Sequence, residues 1–390
     1  TTAAETSRPR CPLGGGTPVL LNGQDVLSTI KEQASINAEQ ASINQELQQV
    51  NANLSREIAS LHEDVCRLRE PHLGSIPDAG SATHKWADGV LAPNGLIYSV
   101  PYTATSVLII SPTTNALDTT TIAGLPSDIK KWLGGVLAPT NNIIYCFAYH
   151  HDSVLKIDPA TNTADWTTIT GVGIAQYKFR SGVVSNNGLI YGIPFSATFV
   201  LIIDPNTDTI DTTTLGGLSA DSFKWFGGVA APDGRIFCIP RDADVVLIIS
   251  PDTNALDITS IAGLGNGGTK WAGGVLANNG LIYGIPRHSE SVLIIDPEAM
   301  TADTTTISGL DGNNKWIGVV LAANGKVVGI PYSSNAVLII DPETNTADTT
   351  TLTGVGTSRY KSIGGVLAPN ALIYTTPLYA DVVLVIDVGC

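Results

Sequence analysis

The chain has 390 residues, with 35 acidic residues against 21 Lys and Arg, a formal net charge of −14, and charged residues making up only 14% of the whole. Such an acid excess argues against nucleic acid or an anionic membrane surface as partner, and no apolar run reaches the ~18–20 residues that a membrane span needs. Many Gly, Thr and aliphatic residues point instead to β-structure with tight turns.

The chain begins at Thr1 and its one Met is Met300, which predicts a processed protein secreted to the extracellular space or cell surface. Residues 1–24 are rich in Thr, Ser, Gly and Pro and read as an extended arm. Thr1, Thr2, Thr6 and Ser7 are compositional candidates for O-glycans. Alternatively, Val19, Leu20 and Leu21 dock the arm on a neighbouring subunit.

Residues 25–70 predict one long helix, with Asp25 as N-cap and Pro71 as stop. Glu32–Asn37 recurs as Glu39–Asn44, a seven-residue repeat. An apolar seam runs Ile36, Ile43, Leu47, Val50, Leu54, Ile58, Leu61, Val65, Leu68. So narrow a stripe needs a partner helix, and a coiled coil with copies of the same chain is expected. Asn53–Leu54–Ser55 is the only N-glycosylation sequon and makes Asn53 a candidate acceptor.

From residue 71 a repeat takes over. Lys-Trp stands at Lys85–Trp86, Lys131–Trp132, Lys224–Trp225, Lys270–Trp271 and Lys315–Trp316, with weaker copies at Lys178–Phe179 and Lys361–Ser362. The steps between the Lys positions are 46, 47, 46, 46, 45 and 46 residues. Each repeat carries four strand signals, which in the sixth are 318–322, 326–331, 336–341 and 347–352. Four strands per ~45 residues is the mark of a β-propeller blade. The expected fold is therefore mainly β: a seven-bladed propeller of four-stranded blades over residues 71–390, preceded by one coiled-coil helix. The seventh repeat ends at Cys390 without its fourth strand. A 46-residue shift sets His72–Ile76 against Asp118–Ile122, so residues ~72–77 are expected to complete the last blade and leave no open edge.

Five Cys are present. Cys146 and Cys238 hold equivalent places in two blades and read as buried thiols. Cys11, Cys66 and Cys390 lie outside the repeats and are candidates for intrachain or interchain disulfides.

The units Gly-Gly-Val-Leu-Ala-Pro-Asn-Gly-Leu-Ile-Tyr-Gly-Ile-Pro and Val-Leu-Ile-Ile-Asp-Pro-x-Thr-Asn-Thr resemble seven-bladed propeller repeat proteins with kelch- or NHL-like blades, over about residues 72–390. The blades depart from kelch in placing the aromatic before the Gly pair. The repeat is also loosely similar to secreted protist and algal surface-filament proteins, such as those of flagellar hairs.

Site chemistry is sparse. The loops after each Ile-Pro strand vary most and would gather on one face of a propeller. They make Tyr102, His150, His151, Asp152, Arg241, Asp244, Arg287, His288, Tyr332 and Tyr379 the candidate binding-face residues. His150–His151–Asp152 with His288 would form a metal or acid–base group only by meeting across the channel. The seven repeat Lys could form a collar for an anion or pair with carboxylates and carbonyls at the blade edges. The Asp-Pro-x-Thr-Asn-Thr turns could hold Ca²⁺ or close as Asx turns. No cofactor and no metal are expected.

These readings predict a structural subunit of an extracellular filament or surface appendage, a homo-oligomer assembling through arm and helix. The alternative is a multimeric lectin- or adhesin-like propeller that binds glycans or protein. A propeller lyase or glycoside hydrolase is disfavoured because no catalytic carboxylate pair converges, and the chain is expected not to be an enzyme.

Overall fold

A computed structural model describes residues 23–389, without the side chains of residues 23–27 and 58–68. The expected arm, with Cys11, lies outside the described residues, as do Cys390 and the side chain of Cys66. The chain divides into two units, the helix with its preceding segment and Arg69–Cys390.

The helix α1 (Gly23–Leu68) begins two residues before the expected Asp25 cap and ends two residues earlier than expected. Its seam is uncovered along the described turns. Ile36, Ile43, Leu47, Val50 and Leu54 are 45–58% exposed. Side-chain bridges one turn apart support the polar faces, as from Gln33 Nε2 to Asn37 Oδ1 at 3.0 Å. Asn53 is exposed, and its Oδ1 accepts from Gln49 and Arg56.

The second unit is a seven-bladed β-propeller of four-stranded antiparallel sheets. β1 (His72–Ile76) waits for the end of the chain. Blade 1 then follows as β2 (Trp86–Leu91), β3 (Ile97–Pro101), β4 (Leu108–Ser111) and β5 (Ala116–Asp118). Five more blades repeat this order. The seventh has three strands of its own, 362–367, 373–377 and 383–387, and takes β1 as its fourth, His72 facing Asp387 and Ile76 facing Val383. The ring is thus closed by the first and last strands of the propeller unit.

Burial explains the strand chemistry. β3 and its six equivalents are buried at every position, because blades stack on both of their faces. The turn side is sewn between blades: Asn94 Nδ2 donates to Tyr98 Oη (2.9 Å) and to the Pro159 carbonyl (3.1 Å), and Tyr98 Oη donates to Asn162 Oδ1 (2.7 Å). The outer strands are shorter than expected. In blade 6 the strand is Thr346–Asp348, not 347–352. Asp348 Oδ1 captures the amides of Thr350 and Thr351 at 2.7 and 3.1 Å, and such local bonds compete with the ladder. The Asp-Pro turns close as Asx turns, Asp341 Oδ1 accepting from the Glu343 amide at 2.9 Å.

The repeat Lys caps the backbone. Lys131, fully buried, donates from Nζ to the carbonyls of Thr103, Ala104 and Asp128 at 3.0–3.1 Å. Trp132 Nε1 donates to the Ser153 carbonyl at 2.7 Å. The Lys bonds tie blade 2 to blade 1, while the Trp bond braces blade 2 within itself.

Candidate functional site: the mouth of the central channel

The innermost strand of each blade lines the channel and carries a β-bulge at its second and third residues: in β2, Trp86 faces Pro101 and Gly89 faces Ser99. The bulge residue is left-handed in six blades and is Gly in five of those. At Gly318 (φ 85°) an added Cβ would lie 2.7 Å from the Gly364 Cα, so the ring has no room there for a side chain. Blade 1 has Asp88 at this place (φ 76°), and blade 3 has Ser181. The position just before it is Ala87, Leu133, Arg180, Phe226, Ala272, Ile317 and Ile363 around the ring. One blade alone puts a charge there.

Two further rings lie above, at the face where the inner strands begin. Each residue that precedes a repeat Lys is left-handed without being Gly: His84, Lys130, Tyr177, Phe223, Thr269, Asn314 and Tyr360, at φ of 53–63°. Such backbone is strained by about 1 kcal/mol or more per residue. The residue after each second strand forms the other ring: Tyr102, Tyr149, Phe195, Arg241, Arg287, Tyr332 and Leu378.

The rings stack into an open arc. Centroids run from Tyr332 to Tyr360 (5.0 Å), Tyr379 (5.5 Å), His84 (4.6 Å), Tyr102 (6.1 Å), Tyr149 (5.7 Å), Tyr177 (5.4 Å) and Phe223 (5.4 Å). Guanidinium groups stand at its two ends. Arg241 lies 4.9 Å over Phe223, and Arg287 lies 5.2 Å over Tyr332. Arg180, 7% exposed, lies 4.0 Å over Phe226.

These cations are poorly compensated. Arg241 Nη1 donates to Asp242 at 2.9 Å, while its Nε is buried without a partner. Arg287 donates from Nε and Nη2 to the neutral amide of Asn314 at 3.0 and 2.8 Å. Arg180 makes no hydrogen bond or ion pair among the described residues; it feels Tyr149, Tyr102 and Tyr332 of blades 2, 1 and 6, and Asp88. Burial lowers the proton affinity of all three, and Arg180 also depresses Arg241 and Arg287, the latter to about 10. Burial pushes the Asp88 carboxyl up to about 6, against the Gly89 amide and Arg180, which pull it down. Beneath the collar, Asp88, Arg180, Ser181 and the glycine ring enclose a cavity of about 170 Å³.

Of the residues singled out from sequence, Tyr102, Arg241, Arg287 and Tyr332 fall in one ring, and Tyr379 joins the arc. His150 stacks on Tyr149 at 5.1 Å, and Nε2 of both His150 and His288 is buried without a partner. His151, Asp152 and Asp244 do other work. His151 packs on Trp132 and bonds Ser153, Asp152 holds the Gly173 amide at 2.5 Å, and Asp244 borders a cleft beside Lys224 and Trp225. No group of three or more His, Cys, Asp or Glu is arranged to hold a metal among the described residues. Cys146 and Cys238 are buried free thiols. Sequence reading missed Arg180, Asp88, Tyr149, Tyr177, Phe223, Tyr360 and His84. Their signal was the residue before each Lys, the residue after each second strand and the two residues after each Trp or its equivalent, read as columns.

No family model matches the sequence, and no curated protein matches it. Solved structures do. A catalytically inactive variant of virginiamycin B lyase from Staphylococcus aureus, solved with quinupristin, is 10% identical, with a TM-score of 0.65 over 81% of this chain and 99% of that one. A streptogramin B lyase structure is 9% identical, with a TM-score of 0.63 over 81% and 97%. The extracellular domain of a putative hybrid two-component system from B. thetaiotaomicron is 13% identical, with a TM-score of 0.62 over 83% and 43%. At these identities the likeness is one of fold. It shows a propeller and nothing narrower: neither the kelch or NHL assignment nor a filament protein is supported. The expectation that the chain is not an enzyme is overturned, since its fold is shared with propeller enzymes over nearly their whole length. That expectation rested on the lack of a convergent carboxylate pair, a criterion that speaks to glycoside hydrolysis and not to other propeller chemistry.

Proposed function

We propose that this chain is an extracellular ligand-binding propeller, displayed in several copies by its helix, with the collared channel mouth as its site. The observation that carries this reading is the broken symmetry. Seven near-identical blades place nonidentical aromatic, guanidinium and imidazole groups at one face, with buried polar atoms left unpartnered. Buried polar atoms without partners are costly unless something else supplies the bond. A glycan or an exposed protein segment is the ligand class. Extracellular sensor domains of the same fold accord with the location.

Display in several copies draws on the uncovered seam of α1, which a coiled coil with other copies would bury. Screening the full chain on glycan and peptide arrays tests the reading. Binding that disappears in Tyr332→Ala and Arg287→Ala, with thermal unfolding unchanged, is the expected result. Retained binding in both variants would move the site elsewhere.

A second reading, turnover of the captured ligand, is favoured by the unpartnered Nε2 atoms of His150 and His288 at the mouth. Conversion of a bound ligand that stops in His288→Asn would support it. Binding without conversion would leave the first reading alone.

A further inference from the structure

Resting on the mouth as the ligand site, we infer that the ligand is an organic anion: an acidic group borne on a ring or other flat apolar body.

The chain carries −14 overall, yet its channel mouth gathers Arg180, Arg241 and Arg287 with a single ion pair, to Asp242. Arg180 is the extreme case, a buried cation with only an aromatic face and no hydrogen-bond acceptor. Its one nearby counter-charge, Asp88, forms no hydrogen bond with it, and a buried cation so weakly compensated is disfavoured. Asp88, the one acid in the cavity wall, makes its hydrogen bond to the Gly89 amide and none to Arg180. An incoming carboxylate or sulfate would supply the missing acceptor, and Arg is the side chain whose planar fork suits such groups.

The cavity beneath the collar is about 170 Å³, smaller than the ~300–1,000 Å³ of sites that swallow a whole ligand. It admits an acidic head group, and the body must stay above, among the rings. There the arc from Tyr332 round to Phe223 offers ring faces and edges, while Arg241 and Arg287 close the remaining side. A bare inorganic anion would use only the guanidinium half of this collar, and a neutral ring only the aromatic half.

The test is calorimetric titration of the full chain with benzoate, glucuronate, benzyl alcohol and inorganic sulfate. Benzoate or glucuronate should bind in the millimolar range that such small ligands reach, and benzyl alcohol and sulfate at least about tenfold more weakly. Arg180→Met and Arg287→Gln should each weaken the organic anion at least about tenfold, the loss of one charged hydrogen bond. Lys326→Met, remote at the opposite turn, should leave it unchanged and controls for net charge. Two variants guard against one failing to fold. Benzyl alcohol binding as well as benzoate and lost in Tyr332→Ala would overturn the anion while leaving the mouth as the site. Sulfate binding as tightly as benzoate would overturn the organic body. No binding of either organic anion would overturn the inference, whatever the arrays show.

Discussion

Arg69 Nε donates to Asp387 Oδ2 at 2.7 Å, joining the first residue of the propeller unit to the last residue of its last strand. Asp387 is almost fully buried, and its other oxygen accepts from the Gly389 amide at 2.9 Å. This pair clamps β1 to Val383–Asp387, the one seam in the ring not made by a hairpin. Breaking a buried pair leaves the surviving charge uncompensated. Asp387→Ala should therefore lower stability by about 2–3 kcal/mol in urea unfolding. A loss under about 0.5 kcal/mol would mean that strand pairing alone closes the ring.

Much of this architecture is legible in the letters. The 46-residue period sets the number of blades, and the shift that places His72–Ile76 opposite 118–122 identifies a segment that the structure pairs with the chain's end. The site was harder to see. A propeller brings together residues about 46 positions apart, so Arg180 meets Tyr102 and Tyr332 only when the repeats are stacked as columns. Reading along the chain shows Arg180 as one more residue in a Phe-Arg-Ser-Gly variant of the motif. The outer strands were overread because Thr has strand propensity, while the Asp before each Thr pair draws the backbone into a turn.

Lys131 shows what the invariant cation does. Its ammonium serves three carbonyls, and the side chain is fully buried. Lys131→Met keeps the apolar stem and strands those acceptors. It should cost about 2–4 kcal/mol, read as a shift in the urea midpoint, and leave benzoate affinity unchanged. A drop in benzoate affinity would return this Lys to the anion site.

Asp88 makes the channel pH-sensitive. Its carboxyl is raised from 3.8 to about 6, so the folded state holds the proton more tightly than the unfolded one. Stability then falls as pH rises from about 4 through 6, by roughly 1–3 kcal/mol after allowing for water in the channel. Asp88→Gly, the residue of most other blades, removes both this penalty and a left-handed non-Gly backbone. It should raise the melting temperature more at pH 8 than at pH 4, and strengthen benzoate binding at pH 8 by removing an opposed charge. An equal change at both pH values would show that only the backbone matters.

The helix seam makes its own prediction. Leu47 is 54% exposed in the single chain, and Leu47→Asp puts a charge into the expected coiled-coil interface. Sedimentation of the full chain should fall from oligomer to monomer, with benzoate affinity per chain unchanged. An oligomer that survives this substitution would place assembly outside the seam.

The most direct measurement of the central claim is a crystal structure of the full chain soaked with 4-bromobenzoate, with the bromine located by its anomalous signal. The account predicts one strong bromine site over the Tyr332-to-Phe223 arc, with the carboxylate turned toward Arg180 and the flanking Arg241 and Arg287. Bromine found only at the blade edges, with the channel mouth empty, would contradict it.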